Sequence, residues 1–168
     1  MALVEVISGI ATDPAVAQAI YATAAAWGKK PVHAKSTPGF IVNRVARPFY
    51  AEAQRVYQDG AASPATIDAV MRDCGGFRMG PFELMDLIGH DTNFSVTQSV
   101  YEANFFDKRF MPSLVQRELV DGGLLGRKSG RGFYVYPDDG AALPVAVHGA
   151  PDTAGAVAVH GQGPIADA

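Results

Sequence analysis

The sequence predicts a mainly α-helical fold preceded by a short β-α-β unit. Two short runs of β-favouring residues lie on either side of one helical segment within residues 1–35. From residue 36 to about residue 123, residues typical of helix starts and stops recur. With 48% hydrophobic and 18% charged residues over 168 positions, the chain is long and apolar enough to bury a core.

The β-α-β unit is predicted from two strand candidates, residues 3–7 and residues 31–35. Between them, Thr12-Asp13-Pro14 is typical of a helix start. That helix is expected to place Val16, Ile20, Ala24 and Trp27 on one face. Two strands alone leave too many backbone groups unpaired for a stable sheet, so we expect residues 1–35 to be the end of a larger sheet domain whose front is absent.

A long helix is predicted from residue 39 to about residue 59, after the chain break at Thr37-Pro38-Gly39. Its apolar residues cover about half of the circumference, which is wider than a surface helix needs. We therefore expect this helix to be central, with a second subunit covering part of its apolar face. Asn43 lies at the border of that face. The opposite side is expected to carry Arg44, Arg47, Glu52, Gln54 and Arg55.

Four further helices are predicted from residue pairs that favour helix starts. These pairs are Ser63-Pro64, Gly80-Pro81, Asp91-Thr92 and Pro112-Ser113. Residues 78–82 either belong to the core or form the wall of an acyl pocket. A basic, glycine-rich loop follows at residues 126–132. Residues 137–168 show no helical period and are predicted to be a flexible tail or linker, with one strand candidate at residues 144–148.

Composition argues against several classes of function. A net charge of -3 and a pI near 5.7 make a nucleic-acid surface unexpected. No apolar run reaches the roughly 18 residues of a membrane span. One cysteine excludes an internal disulfide, and the four histidines lack metal-ligand spacing, so we expect no metal site. The N-terminus lacks the pattern of a signal peptide, and the cytoplasm is the expected compartment.

Three polar residues are candidates for chemistry, although spacing alone reveals no complete active site. Glu5, in an apolar strand, either faces water at a sheet edge or orients a histidine from another part of the protein. Asn43 is either a polar residue of the helix cap region or an amide directed at a substrate carbonyl or catalytic histidine. Lys128 is either a solvated charge or a cation that reaches an anionic cofactor or ribose oxygen. His33 and His90 are expected to be packing or surface residues.

Four motifs together resemble the L-3-hydroxyacyl-CoA dehydrogenase family, in that family's order and spacing. They are LVEVI at residues 3–7, STPGFIVNR at residues 36–44, MGPFELMD at residues 79–86 and GRKSGRGFY at residues 126–134. The resemblance implies a dinucleotide-binding Rossmann domain followed by a bundle-like helical dimerisation domain of the 6-phosphogluconate dehydrogenase C-terminal type. The expected division is therefore a Rossmann remnant at 1–35, a helical domain at 36–136 and a tail at 137–168.

The same resemblance implies a chemistry. The family oxidises a 3-hydroxyacyl-CoA to a 3-ketoacyl-CoA with NAD, in the oxidation of fatty acids or of aromatic acids. A histidine takes the hydroxyl proton as hydride leaves C3, and a glutamate holds that histidine. By motif match, Glu5 takes the place of the glutamate, Asn43 that of an asparagine near the substrate carbonyl, and Lys128 that of a lysine reaching the cofactor. Similar bacterial proteins act on 3-hydroxyadipyl-CoA or 3-hydroxybutyryl-CoA.

The resemblance also implies parts that this sequence does not contain. The glycine fingerprint, the catalytic histidine and the serine beside it belong before Leu3 in the family's order. We therefore expect the C-terminal part of such an enzyme, inactive alone, with NAD bound mainly by the absent domain. An acyl-CoA substrate and a homodimer through the helical domain are expected partners. The alternative is a stand-alone, non-catalytic module for dimerisation or acyl-CoA binding.

Overall fold

The computed structural model describes residues 2–137, which form a β-α-β unit followed by five α-helices. The predicted mainly α fold is confirmed. The elements are β1 (Leu3–Ser8), α1 (Pro14–Ala26), β2 (Lys30–Lys35), α2 (Val42–Gln58), α3 (Pro64–Asp73), α4 (Pro81–Ile88), α5 (His90–Ala103) and α6 (Leu114–Asp121). Short 3-10 turns occur at Lys108–Phe110 and Arg127–Ser129. The predicted tail beyond Pro137 and its strand candidate at residues 144–148 lie outside the described residues.

The β-α-β unit has the parallel pairing expected of a crossover through a helix. β1 and β2 run in register from Leu3 opposite Lys30 to Ser8 opposite Lys35. Asp13 caps α1, since its side chain accepts a hydrogen bond of 2.7 Å from the Ala15 backbone nitrogen. The helix start predicted from the sequence is therefore confirmed.

The apolar face predicted for α1 is mostly exposed. Val16 is 56% exposed, Ile20 52% and Trp27 73%, and only Ala24 of the predicted set is buried. The physical reason is the width of the sheet, because two strands cover only a narrow strip of the helix that packs on them.

The central helix α2 begins at Val42 rather than at the predicted residue 39. Gly39 and Phe40 have φ angles of 79° and 46°, which place them in the left-handed region and outside the helix. A side chain at Gly39 would also crowd the Arg44 backbone nitrogen at 3.0 Å and the side chain of Val100 at 3.2 Å. Glycine is therefore required both for the turn and for the close approach to α5.

The polar side predicted for α2 is only partly exposed. Arg47 and Gln54 are 4% and 3% exposed, whereas Val45 on the apolar side is 69% exposed. The reason is tertiary packing, because Arg47 donates hydrogen bonds to α5 and so draws this side of α2 into the core. The side opposite the apolar face thus contributes two buried polar residues, which the helical pattern did not indicate.

The core of the helical part is built around α4. Phe82 and Met85 are fully buried there. The core cluster consists of Tyr50, Ala53, Ile67, Phe82, Met85 and Tyr134. Asp68 of α3 accepts hydrogen bonds of 2.9 Å from the backbone nitrogens of Phe82 and Glu83, and so caps α4 from a neighbouring helix.

Candidate active site

Glu5 connects the sheet to the start of the central helix. Its half-buried side chain leaves β1, and Oε1 accepts hydrogen bonds from the backbone nitrogens of Ile41 at 2.7 Å and Val42 at 3.2 Å. The first N–H groups of a helix have no partner inside it and carry partial positive charge. Ile41 supplies no capping side chain to α2. Glu5 therefore serves as the cap of α2, a role that the sequence pattern did not reveal.

The second carboxylate oxygen of Glu5 remains available. Within residues 2–137, Oε2 has no hydrogen-bond partner. An ionised carboxylate accepts through both oxygens, so Oε1 can hold the helix while Oε2 receives a further donor.

Asn43 lies in the first turn of α2, directly after the two residues that Glu5 holds. Its Oδ1 accepts a hydrogen bond of 3.3 Å from Nη2 of Arg47. For Nδ2 no partner is found in the described part of the chain. The structure thus brings Glu5 and Asn43 to one end of one helix, where an acceptor oxygen and an amide donor remain free.

Arg47 lies on the polar side predicted for α2, and the structure buries it against α5. Its Nη1 donates to the backbone oxygen of Asn93 at 3.2 Å and to Oγ1 of Thr97 at 2.9 Å. Its guanidinium carbon lies 4.8 Å from the centre of the Tyr50 ring. Among residues 2–137, no carboxylate forms an ion pair with Arg47. Burial lowers the pKa of Arg47, and Tyr50 acts in the opposite direction.

A buried polar network lies behind Arg47. Gln116 of α6 donates 3.0 Å to Oδ1 of Asn93 and lies 3.3 Å from Nδ1 of His90, whose Nε2 is 2.6 Å from Oδ1 of Asp86. All four residues are at most 1% exposed. His90 is thus a buried packing residue, one of the two roles expected for it. The network fixes α4, α5 and α6 relative to one another.

Asp86 also anchors the segment after the glycine-rich loop. Its carboxylate accepts from the backbone nitrogens of Phe133 at 3.0 Å and Tyr134 at 2.9 Å, and from the Tyr136 hydroxyl at 2.9 Å. Burial and the nearby Asp86 raise the pKa of Tyr136 above its usual value. The last sequence motif therefore completes the core.

An open groove of about 890 Å³ runs along α2 and includes Ile41 and Val42, the two residues before Asn43, in its lining. Its lining side chains are apolar except for Arg78 and Tyr50. Its lining consists of Ile41, Val42, Val45, Ala46, Phe49, Tyr50, Phe77, Arg78, Met79, Leu84 and Leu87. Of the predicted acyl-pocket residues 78–82, Arg78 and Met79 line this groove, whereas Phe82 belongs to the core.

Lys128 lies in a different part of the structure. Its Nζ forms an ion pair with Oδ1 of Asp91 at the start of α5, and the two side chains are 44% and 42% exposed. The hydrogen bond from Lys128 lowers the pKa of Asp91. Among the described residues, no hydrogen bond or ion pair joins Lys128 to Glu5 or Asn43. The structure groups two of the three predicted site residues and leaves the third apart.

The described residues contain neither a metal site nor a membrane-spanning helix. In residues 2–137, no group of three or more His, Cys, Asp or Glu side chains is placed to hold a metal ion. None of the helices within the same range is long and apolar enough to cross a bilayer.

Comparison with known proteins gives a consistent set of relatives. The 3-hydroxyadipyl-CoA dehydrogenase of Escherichia coli is 58% identical over 134 residues, which are 80% of this chain and 28% of that protein. A crystal structure of 3-hydroxybutyryl-CoA dehydrogenase from Escherichia coli K12 has a TM-score of 0.79 at 57% identity and covers 81% of this chain and 29% of that one. The (S)-3-hydroxybutyryl-CoA dehydrogenase of Ralstonia eutropha has a TM-score of 0.79 at 42% identity, covering 82% and 48%.

The chain spans between about a quarter and half of the length of the curated relatives it matches. The family model described as "3-hydroxyacyl-CoA dehydrogenase, C-terminal domain" matches residues 39–136. These residues include α2 with Asn43, the groove beside it, the buried polar network and the Lys128 loop. This chain belongs to the 3-hydroxyacyl-CoA dehydrogenase family, of which it contains the C-terminal domain.

Proposed function

We propose that residues 2–137 form the substrate-side part of an NAD-dependent dehydrogenase that interconverts 3-hydroxyacyl-CoA and 3-ketoacyl-CoA. The observation that carries the proposal is the position of Glu5, which caps the helix turn that presents Asn43. The motif resemblance gives these two residues a joint task, and the fold brings them to one helix end. The names of the relatives add acyl-CoA as the substrate class.

Glu5 is proposed to hold the general base. Its free Oε2 accepts the N–H of a histidine that the resemblance places before Leu3, while Oε1 stays on α2. A carboxylate in this position selects the tautomer of the imidazole and stabilises its cation after the hydroxyl proton has been taken. The cap fixes the carboxylate, so the histidine receives a defined orientation.

Asn43 is proposed to bind the oxygen on C3 of the substrate. Its Nδ2–H groups are free donors at the N-terminus of α2, where the helix dipole favours negative charge. The donor strengthens its hydrogen bond as the C3 oxygen gains negative charge during proton removal or ketone reduction. Loss of one such donor typically costs about 100-fold or more in kcat.

The described residues fit a peripheral contact with NAD only. The sequence has no glycine-rich phosphate-binding turn after a strand. Lys128 is proposed to donate a hydrogen bond to the cofactor's ribose. Asp91 positions the ammonium group of Lys128 for this contact. Bound NAD would accept the hydride from C3.

The groove along α2 is proposed to take the acyl part of the substrate. Its volume of about 890 Å³ and its apolar lining suit a short acyl chain and part of the pantetheine arm. The substrate is proposed to be 3-hydroxyadipyl-CoA or 3-hydroxybutyryl-CoA, after the relatives. A homodimer through the helical domain is proposed as well, because apolar side chains such as Leu114 are 74% exposed.

A chimera tests this function. Residues 2–137 replace the matching stretch of the Escherichia coli 3-hydroxyadipyl-CoA dehydrogenase, which supplies the histidine and the NAD-binding domain. With NADH and acetoacetyl-CoA, we expect turnover within about tenfold of the parent enzyme, and Asn43→Ala should lower kcat about 100-fold. A folded chimera without activity would contradict the proposal.

The unmodified 168-residue chain provides the second arm of this test. It should show no turnover, since it lacks the base and the glycine motif. Turnover by this chain alone would contradict the proposed division of roles. Binding of acyl-CoA by the chain, together with an inactive chimera, would favour a non-catalytic binding module instead.

A further inference from the structure

The Arg47 guanidinium is buried, which costs stability, and the proposed chemistry does not explain its burial. It is 4% exposed, and none of the carboxylates in residues 2–137 neutralises it. Burying a charge without a counter-ion costs stability unless hydrogen bonds compensate for it. Its Nε also lacks a hydrogen-bond partner among the described residues.

The guanidinium is held in one orientation by α5. Nη1 bonds the backbone oxygen of Asn93 and the hydroxyl of Thr97, and the Tyr50 ring lies against the guanidinium carbon. The Asn93 side chain is itself held by Gln116. With Nη1 engaged, Nη2 projects to Oδ1 of Asn43, one helical turn earlier.

We propose that Arg47 is a positioning residue that selects the orientation of the Asn43 carboxamide. This inference rests on the proposed role of Asn43 as a donor to the C3 oxygen. Guanidinium groups carry donors and no acceptor, so only Oδ1 of Asn43 can face Arg47. Nδ2 is thereby directed away from the arginine as a donor. A carboxamide rotated by half a turn would set NH₂ against NH₂ and present an acceptor to the substrate oxygen.

The buried charge also strengthens the donor that it positions. A carboxamide whose oxygen accepts from a cation is polarised, and its N–H groups become better donors. The effect is larger in a site with little water, where Arg47 lies. The same arginine therefore acts on the orientation and on the donor strength of Asn43.

A double-mutant cycle in the chimera tests the catalytic consequence. Arg47→Met removes every donor at similar length, and we expect kcat to fall about tenfold with KM changed less than about threefold. In the Asn43→Ala background, Arg47→Met should cause less than about a twofold further loss, because residues that act through one group are not additive. Equal losses in both backgrounds would overturn the proposal, since they indicate a general structural effect.

Arg47→Lys is the substitute variant in case Arg47→Met does not fold. It keeps the buried charge and an ammonium donor but loses the planar fork of the guanidinium, so we expect kcat to lie between the values of Arg47→Met and of the unsubstituted chimera. If Arg47→Met does not fold, the cycle is run with Arg47→Lys against Asn43→Ala. Additive losses in that cycle would also overturn the proposal.

Nuclear magnetic resonance of the 168-residue chain gives a readout that needs no activity. The Nδ2–H₂ resonances of Asn43 should be dispersed in the parent and move toward values of a free carboxamide in Arg47→Met. The side-chain amide of Asn104, which bonds the Val100 backbone oxygen, is the internal control. Unchanged Asn43 resonances would overturn the positioning role. Full activity of the Asn43→Ala chimera would instead contradict the proposed function of Asn43 and leave this spectroscopic result to decide the positioning.

Discussion

Oε1 of Glu5 lies 2.7 Å from the backbone nitrogen of Ile41, so a side chain of the β-α-β unit holds the first turn of the central helix. The contact joins residues that are 36 positions apart in the sequence. It crosses the boundary that we propose between the sheet remnant, residues 1–35, and the helical domain, residues 36–136. This contact fixes the position of the Glu5 carboxylate, which is proposed to orient the base, relative to the Asn43 amide, which is proposed to bind the substrate.

Glu5→Gln and Glu5→Ala separate the cap from the charge. Glutamine keeps a carbonyl oxygen that can accept from Ile41 and Val42, whereas alanine leaves both N–H groups unpaired. We expect Glu5→Ala to lower the free energy of unfolding by about 1 kcal/mol and Glu5→Gln by less than about 0.5 kcal/mol. Urea denaturation of the 168-residue chain measures both.

In the chimera, both substitutions of Glu5 should lower kcat by at least about tenfold, because neither retains the carboxylate. Glu52→Gln, with a side chain that is 62% exposed on α2, is the matched control and should leave kcat and stability unchanged. Equal stability of the alanine and glutamine variants would contradict the capping role.

Gly80→Ala tests the packing of α4 against α3. A methyl group on Gly80 would collide with the backbone and side chain of Asp68, which caps α4. We expect the free energy of unfolding to fall by about 3 kcal/mol, because neither backbone can move without breaking that cap. Gly9→Ala is the control, since its nearest neighbour is Oγ1 of Thr12 at 3.7 Å. Similar midpoints of thermal unfolding for the two variants would show that α3 and α4 can accommodate a methyl group at Gly80 without loss of stability.

Local signals predicted much of the fold. Three helices begin with a proline in the first turn, namely Pro14, Pro64 and Pro81. Proline is favourable there because the backbone N–H that it lacks would have no partner in the helix, so these helix starts could be predicted from the sequence. The burial of Arg47 could not be predicted in this way. A polar residue normally marks the exposed side of a helix, and its burial depends on Asn93 and Thr97, which are 46 and 50 positions away.

The candidate site shows the same limit. Motif resemblance identified Glu5 and Asn43, but nothing in the local pattern of β1 indicates that its carboxylate reaches α2. Such a contact depends on how the sheet and the helix pack, and no period within either segment encodes it. Ile41, the residue before α2, cannot cap a helix with its side chain, but the sequence predicted a start at residue 39 and so did not mark Ile41 as the cap position.

Lys128→Met in the chimera tests the proposed cofactor contact. Removal of the ammonium group should raise KM for NADH about threefold to tenfold with kcat changed less than about twofold, because the contact is peripheral to the reacting atoms. The exposed Lys35 of β2 provides the control as Lys35→Met. An unchanged KM for NADH would assign Lys128 to the surface pair with Asp91 alone.

Val45→Glu distinguishes two proposed roles for the apolar surface of the helical domain, which are binding of the acyl chain and contact with a second subunit. Val45 lines the groove and is 69% exposed, so a carboxylate there should cost little stability in the free chain. If the groove binds the acyl chain, KM for acetoacetyl-CoA in the chimera should rise at least about tenfold, because the substrate must then pack against a charge. The mass measured by sedimentation should stay that of a dimer.

Val135→Glu is the control, because Val135 is 62% exposed and lies outside the groove. It should change neither the KM for acetoacetyl-CoA nor the sedimentation mass. A fall to the monomer mass in Val45→Glu would show instead that a second subunit covers the groove.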